Sequence, residues 1–371
     1  MFNLSNLAPP AQRADTSTQL PASWYLDPAI FELEKRLLFD AGPGYVGHEI
    51  ALPNEGDFFA LEWMHNAKAL VRNARGIELI SNICRHRQAV LLEGRGNARN
   101  IVCPLHRWTY DLGGKLLGAP HFPNNPCLHL NKTPLQNWNG LLFAGKRPVA
   151  HDLADLGVLK DFDFSGHVLD RVQIKEYAFN WKTFMEVYLE DYHVEPCHPG
   201  LSHFVDANDL RWEFGEHYSV QTVGIHHALS RPNTPVYAKW HEQVLRQSAG
   251  IAPPHGAIWM VYYPNIMLEW YPHVLVISTI LPNGPTACTN VVEFYYPEEI
   301  ALFEREFVEA EQAAYFETAV EDDEICARMD AGRRALHALG LNEVGPYQSP
   351  MEDGLQHFHE YLRRQIDPHL D

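Results

Sequence analysis

Cys84-Arg85-His86-Arg87 and, after a gap of sixteen residues from His86, Cys103-Pro104-Leu105-His106 decide how this chain is read. Each pair ends a short β-rich run and enters a loop. Two loops that each carry one Cys and one His can enclose one metal centre, because a thiolate suits soft metals and an imidazole suits iron or zinc. Outward from the pairs, Gly42 to Pro148 breaks into short runs such as Leu70-Val71-Arg72, Glu78-Leu79-Ile80 and Gly140-Leu141-Leu142-Phe143. Gly, Pro and Asn punctuate them, which predicts an all-β module with tight loops.

Two metal readings compete for the four residues. A structural zinc site would draw all four onto one ion, but the common zinc finger pairs Cys with Cys and places His with His on a helix. Here each loop supplies one of each. That fits a two-iron cluster with both Cys on one iron and both His on the other, the Rieske [2Fe–2S] arrangement, whose neutral imidazoles raise the potential.

A second constellation follows. Asn180 to Asp191 predicts a helix, with Phe184, Val187 and Tyr188 on one side. Beyond it stand His193 and His198, five residues apart. On an ideal helix they would lie about 140° apart, so they reach one ion only if the helix ends between them. Pro196 and Pro199 predict that ending, with His193 on the last turn and His198 just beyond it. Two His and one carboxylate form the facial triad of non-haem Fe(II) oxygenases, which leaves positions open for O₂. The acidic run Glu321-Asp322-Asp323-Glu324 is the candidate source of the carboxylate. Glu190 precedes His193 by one helical turn on the same face. A solvated acidic face is the competing reading of Glu186, Glu190, Asp191 and Glu195. The joint occurrence of both constellations favours metal. Cys197 reads as a packing residue, and Cys127, Cys288 and Cys326 have no partner at ligand spacing.

The wider chain sets the frame. Its 371 residues suit two domains at roughly 150 each. A hydrophobic share of 46% supports a substantial core. Acidic residues outnumber basic ones by 47 to 29, a net charge of −18, which argues against nucleic acid or anionic membrane as partners held by bulk charge. No apolar stretch approaches the ~20 residues of a membrane helix. Residues 1–20 read as an irregular lead-in without the features of an export signal. A cytoplasmic enzyme with six reduced cysteines is expected. Helices are predicted from Asp27 to Phe39, from Pro297 to Leu336 and from Pro350 to Gln365, and long antiparallel strands over 210–230 and 258–295. Strands followed by helices predict an α+β domain.

Cys84-Arg-His86-Arg87 and Cys103-Pro-Leu-His106-Arg-Trp108-Thr-Tyr110-Asp-Leu-Gly113-Gly114 resemble the two cluster-binding boxes of Rieske oxygenases. Tyr45-Val-Gly-His48-Glu and Trp138-Asn-Gly140-Leu-Leu-Phe143 resemble the edges of that module. Arg107 departs from the family, which commonly has a small residue there, and this alters the surface met by the electron donor. The resemblance implies an all-β Rieske domain over residues 42–148 with Cys84, His86, Cys103 and His106 as cluster ligands. It implies a helix-grip catalytic domain with an antiparallel sheet over 155–371, and a segment 1–41 packed on it. The box Glu321-Asp322-x-x-Ile325-Cys326 selects Asp322 as the third iron ligand beside His193 and His198, with Asp323 as the alternative.

The same resemblance gives Glu190 a bridging role between a cluster histidine of one subunit and an iron histidine of the next, in a head-to-tail homotrimer. Many relatives have Asp at this position, and some that act on quaternary ammonium compounds have Glu. Glu186 matches another position of the motif, near the iron. The implied activity is that of a terminal oxygenase using O₂ to hydroxylate, dihydroxylate or demethylate a small molecule. No dinucleotide fingerprint is present. NAD(P)H therefore acts through a separate flavin or ferredoxin-type reductase, docking near His86 and His106. Trp259, Tyr262, Tyr263, Trp270 and Tyr271 suggest an aromatic-lined pocket and an aromatic substrate, with a quaternary ammonium compound as the alternative. A pure electron carrier and a zinc-stabilised binding protein remain as rival classes.

Overall fold

The computed structural model describes residues 18–370, so most of the expected lead-in lies outside the described residues. The chain divides into two compact units. One is Ala41–Ala150, and the other joins the described residues up to Asp40 with His151–Asp371.

The unit Ala41–Ala150 is built from small antiparallel sheets. Gly44–His48 pairs with Leu141–Ala144, with Tyr45 opposite Phe143 and His48 opposite Leu141, so the two ends of the module close on each other. Gly140 has φ 86°, and a Cβ there would stand 2.3 Å from the His48 ring, so the turn requires glycine. A five-stranded sheet carries Lys68–Asn73 and Gly76–Ser81 at its centre, and a three-stranded one is formed by Ile101–Val102, Thr109–Tyr110 and Leu116–Gly118. Trp108, Tyr110, Ile101 and Leu116 are buried beside Cys84 and Cys103.

The second unit is an α+β domain around one seven-stranded antiparallel sheet. Its strands are β1 (His167–Tyr177), β2 (Val205–Gly215), β3 (Tyr218–Ile225), β4 (Ala257–Tyr262), β5 (Ile266–Tyr271), β6 (Val274–Gly284) and β7 (Ala287–Pro297). From β2 to β7 the chain meanders, and β1 then pairs with β7, so β5 sits in the middle of the sheet. Alternate residues face one side, as the strand period requires: Trp259 on β4, Met267, Glu269 and Tyr271 on β5, and Ser278 on β6. Among its helices are α1 (Trp181–Tyr188), α2 (Val194–Cys197), α3 (Pro235–Gln247), α4 (Arg305–Ala338) and α5 (Asp353–Ile366). At one end of the inner sheet face, Trp24, Met185, Val261, Phe358 and Leu362 form a core. At the other, Trp240, Trp259, Val276, Phe294 and Phe307 form a second.

Three expected elements differ in extent. The helix from Asn180 stops at Tyr188, because the Asp191 N–H donates to Met351 O at 3.1 Å and is taken out of any helical ladder. The long helix predicted from Pro297 is two helices, Glu298–Phe303 and α4, broken at Glu304 with φ −119° and ψ 55°. The last helix starts at Asp353, three residues beyond Pro350. Among the described residues, no helix is long and apolar enough to cross a membrane.

Candidate metal centres

The two Cys/His loops share one backbone design. The Cys84 N–H donates to Ala89 O at 2.9 Å, and the Gln88 N–H returns to Cys84 O at 3.1 Å. The Cys103 N–H donates to Trp108 O at 2.8 Å, and the Arg107 N–H returns to Cys103 O at 3.1 Å. Gln88 and Arg107 close these turns at φ 52° and 59°. That left-handed conformation costs Arg107 of order 1 kcal/mol.

Both cysteines are buried, while His86 is half-buried and His106 exposed. The His86 and His106 rings are 4.6 Å apart, and Trp108 stacks on His86 at 4.9 Å. His86 Nδ1 is buried without a hydrogen-bond partner, as a nitrogen reserved for a metal would be. Burial opposes ionisation of Cys84. The His86 N–H and the Tyr110 hydroxyl nonetheless bring its thiol below the ordinary range, toward the thiolate that binds metal. These residues fit a cluster. They fit a single zinc ion poorly: among the described residues, the group of three or more donor atoms lying within 4.8 Å of one another is found elsewhere.

That group is His193, His198 and Asp322. His193 and His198 flank the single turn α2 as its N-cap and C-cap, so the five-residue spacing spans a separate short helix and does not straddle the end of α1. Asp322 reaches them from α4. His193 Nε2 and His198 Nε2 are 3.0 Å apart, and Asp322 Oδ1 lies 3.4 Å from the first and 3.0 Å from the second. On the outer side of each ring, Nδ1 is engaged by a carboxylate: Glu190 Oε1 at 2.5 Å from His193 and Glu321 Oε2 at 2.8 Å from His198. With the ring protons held at Nδ1, both Nε2 lone pairs point at one spot, the arrangement of metal-binding imidazoles. Burial disfavours a charged His193, yet Asp322 and Glu190 outweigh it and push the ring up to about 10, the mark of a site facing excess negative charge. Asp322 Oδ1 is buried without a hydrogen-bond partner. The donor set suits one ferrous ion.

Asp323 points elsewhere, to an ion pair with Lys175. Glu190 stands in the turn before α2, where Oε2 also accepts the His193 N–H at 3.1 Å. Glu186 requires a correction. It does not line the cavity at the metal site. It is buried in a cluster with Arg333, Tyr25 and His359, the last at 3.0 Å. Burial raises its carboxyl, but Arg333 and His359 overcome this and hold it down at about 2. Four-residue spacing from Glu190 would put it near the metal only on a continuous helix, and α1 has ended by then.

Beside the triad lies a cavity of about 130 Å³ between the inner sheet face and α4, close to the size of an engineered apolar cavity that takes benzene, ~150 Å³. Of the five aromatics expected there, Trp259 and Tyr271 line it, while Tyr262 binds Asp152, Tyr263 binds His357, and Trp270 faces a separate groove. Alternation along the strand decides between neighbours. Sequence reasoning missed two carboxylates, Glu269 and Glu311. Both are nearly fully buried and line the cavity. Burial pushes Glu269 up to about 7 against its tyrosine donors, and Glu311 up to about 8 against Tyr296. The available signal was one acid inside the apolar run Ile266-Met-Leu-Glu269-Trp-Tyr.

Comparison with known proteins places this geometry. A family model for the Rieske [2Fe-2S] domain matches residues 43–137, and one for the ring hydroxylating alpha subunit (catalytic domain) matches 155–368. A putrescine 2-hydroxylase of Ralstonia nicotianae is 62% identical over 98% of this chain and 100% of its own length. Another from Bordetella bronchiseptica is 55% identical over 94% of this chain and 84% of its own length. The solved structure of a quaternary ammonium Rieske monooxygenase, described in terms of carnitine oxidation and inter-subunit electron transfer, superposes with a TM-score of 0.75. It has 18% identity and covers 98% of this chain and 100% of that one.

Proposed function

The chain belongs to the ring-hydroxylating alpha subunits of Rieske oxygenases, and from that membership we propose that it hydroxylates putrescine or a short aliphatic diamine of that kind. It is the terminal oxygenase of a multicomponent system, with a Rieske cluster, a mononuclear iron and a separate reductase. A pure electron carrier has no need of the catalytic domain.

In this reading Cys84, His86, Cys103 and His106 hold the cluster, and His193, His198 and Asp322 hold the iron. When bound, the two centres would relay two electrons from the reductase and activate O₂, so that, with two protons taken up, one oxygen atom would enter a C–H bond and the other would leave as water. The chain's own residues do the rest. Glu190 and Glu321 keep the ring protons on Nδ1 of His193 and His198. Phe184, Trp259 and Met267 keep water from the reacting carbon. Exposed His106 gives the reductase access to the cluster rim.

The observation that carries the diamine reading is the presence of ionisable carboxyl groups in the cavity wall. The cavity is walled by apolar and aromatic side chains yet holds buried Glu269 and Glu311, and its lysine, Lys175, is engaged by Asp323. A neutral aromatic ring offers those carboxylates nothing. The expectations of an aromatic substrate and of dioxygenation also find no support in the two putrescine 2-hydroxylases. A quaternary ammonium has no N–H to donate, and the relative that oxidises carnitine is much more distant. We further place electron transfer between copies in a head-to-tail trimer, with Glu190 between one subunit's cluster and the next subunit's iron.

The test is turnover of putrescine by the purified protein with a surrogate NAD(P)H-dependent reductase and O₂. Mass spectrometry is expected to show a product one oxygen heavier. If an aromatic compound or carnitine is oxygenated while putrescine is not, the proposal is overturned.

A further inference from the structure

We propose that Glu269 is the seat for the diamine's distal ammonium group and thereby sets which carbon faces the metal. This inference rests on the diamine reading above.

Glu269 stands on β5, the middle strand of the sheet, and points into the cavity with Met267 and Tyr271. Its carboxylate is ringed by hydroxyls. Tyr271 donates to Oε2 at 2.8 Å, Tyr315 donates to Oε1 at 3.1 Å, and the Tyr188 hydroxyl faces it from α1. Trp259 Nε1 donates to the Tyr271 hydroxyl at 2.8 Å and fixes that ring. Each carboxylate oxygen can accept two hydrogen bonds, so the group keeps capacity for an ammonium donor.

The contrast with other buried acids is the second line of argument. Glu34 is matched by Lys182 at 2.5 Å, and Glu186 by Arg333. Glu269 forms no ion pair among the described residues. An unpaired buried carboxylate is costly unless a cation completes it. Burial and the nearby Asp322 charge accordingly leave Glu269 readily protonated while it lacks that cation.

Helix α4 supplies the ruler. Tyr315, which holds Glu269, and Asp322, which reaches the metal site, line the same cavity seven residues apart. At ~1.5 Å per residue that is ~10 Å along the axis. A short diamine seated at Glu269 therefore extends toward the metal and presents a carbon near its other amine. Glu311 lies one turn beyond Tyr315, farther from the metal.

The experiment compares wild type with Glu269→Gln and Glu311→Gln, all loaded with cluster and iron. Calorimetric putrescine affinity, KM, kcat and the position of the new hydroxyl are measured. Glu269→Gln is expected to weaken putrescine binding and raise KM by about thirtyfold or more, and to mix hydroxyl positions. Glu311→Gln is expected to leave the position unchanged. Wild type is expected to prefer putrescine over 4-amino-1-butanol, which lacks the second charge, and Glu269→Gln to lose that preference. Should Glu269→Gln fail to fold, Glu269→Asp keeps the charge on a shorter arm and is expected to bind putrescine but shift the hydroxyl. Unchanged affinity and position in Glu269→Gln, loss of both in Glu311→Gln instead, or an unshifted hydroxyl in Glu269→Asp overturns the assignment. A wild type that oxygenates no diamine overturns the diamine reading itself.

Discussion

Two imidazole nitrogens 3.0 Å apart, each with its proton held on the far side of the ring by a carboxylate, repel through their lone pairs unless a cation lies between them. Asp322 adds a third donor from a different element, so its loss should empty this site and spare the other. Asp322→Ala is expected to drop iron from about three to about two per chain while acid-labile sulfide stays at about two. Iron that stays at three would remove Asp322 from the ligand set. Glu269 makes a separate claim about pH. Burial raises its carboxyl, the facing hydroxyls of Tyr271, Tyr315 and Tyr188 pull it back down, and the Asp322 charge adds to the rise, leaving it at about 7. An ammonium ligand favours the carboxylate, so binding expels a proton. Putrescine affinity is expected to rise from pH 6 to pH 8, with proton release visible as buffer-dependent calorimetric heat. Affinity that is flat over this range, with no proton release, contradicts it.

The elements that carry these residues are fastened by contacts remote from the metals. Glu186 on α1 joins Arg333 on α4, His359 on α5 and Tyr25 of the N-terminal segment. Its carboxyl is lower in the fold, at about 2, than in an unfolded chain. The pairing therefore stabilises fully above about pH 4.5 and is lost as pH falls toward 2. Glu186→Ala leaves the mostly buried Arg333 without its carboxylate and is expected to cost about 3 kcal/mol, read as a lower Tm at pH 7 in protein that still holds its iron. An unchanged Tm would mean the cluster contributes nothing net. The same elements show what could be read from residue order. Donor types at loop ends are legible locally, which is why Cys84, His86, Cys103, His106, His193 and His198 stand out, and α4 is legible as a long helix around Asp322. The end of α1 is set by Met351, some 160 residues away, and the break at Glu304 has no Pro or Gly to announce it. The orientation of Glu186 and the existence of the Glu269 seat both depend on such distant packing.

For the whole molecule, the proposal routes electrons across a subunit boundary, and a ring in which each copy meets the next head to tail closes naturally. Such a relay can be split between two chains. A Cys103→Ser variant is expected to lack the cluster but keep the mononuclear iron, and Asp322→Ala the reverse. Each is inactive alone. Mixed and reassembled in equal amounts, they place a working cluster beside a working iron wherever an Asp322→Ala copy precedes a Cys103→Ser copy. For random order that is one junction in four, so about a quarter of wild-type putrescine turnover returns. A relay confined within one chain would restore none, because no copy in the mixture holds both centres. Adding Glu190→Gln to both chains separates contact from conduction: assembly and metal content should survive, and the recovered turnover should collapse if this carboxylate links the two centres. Turnover that persists would leave Glu190 as a partner of His193 alone, holding its proton on Nδ1.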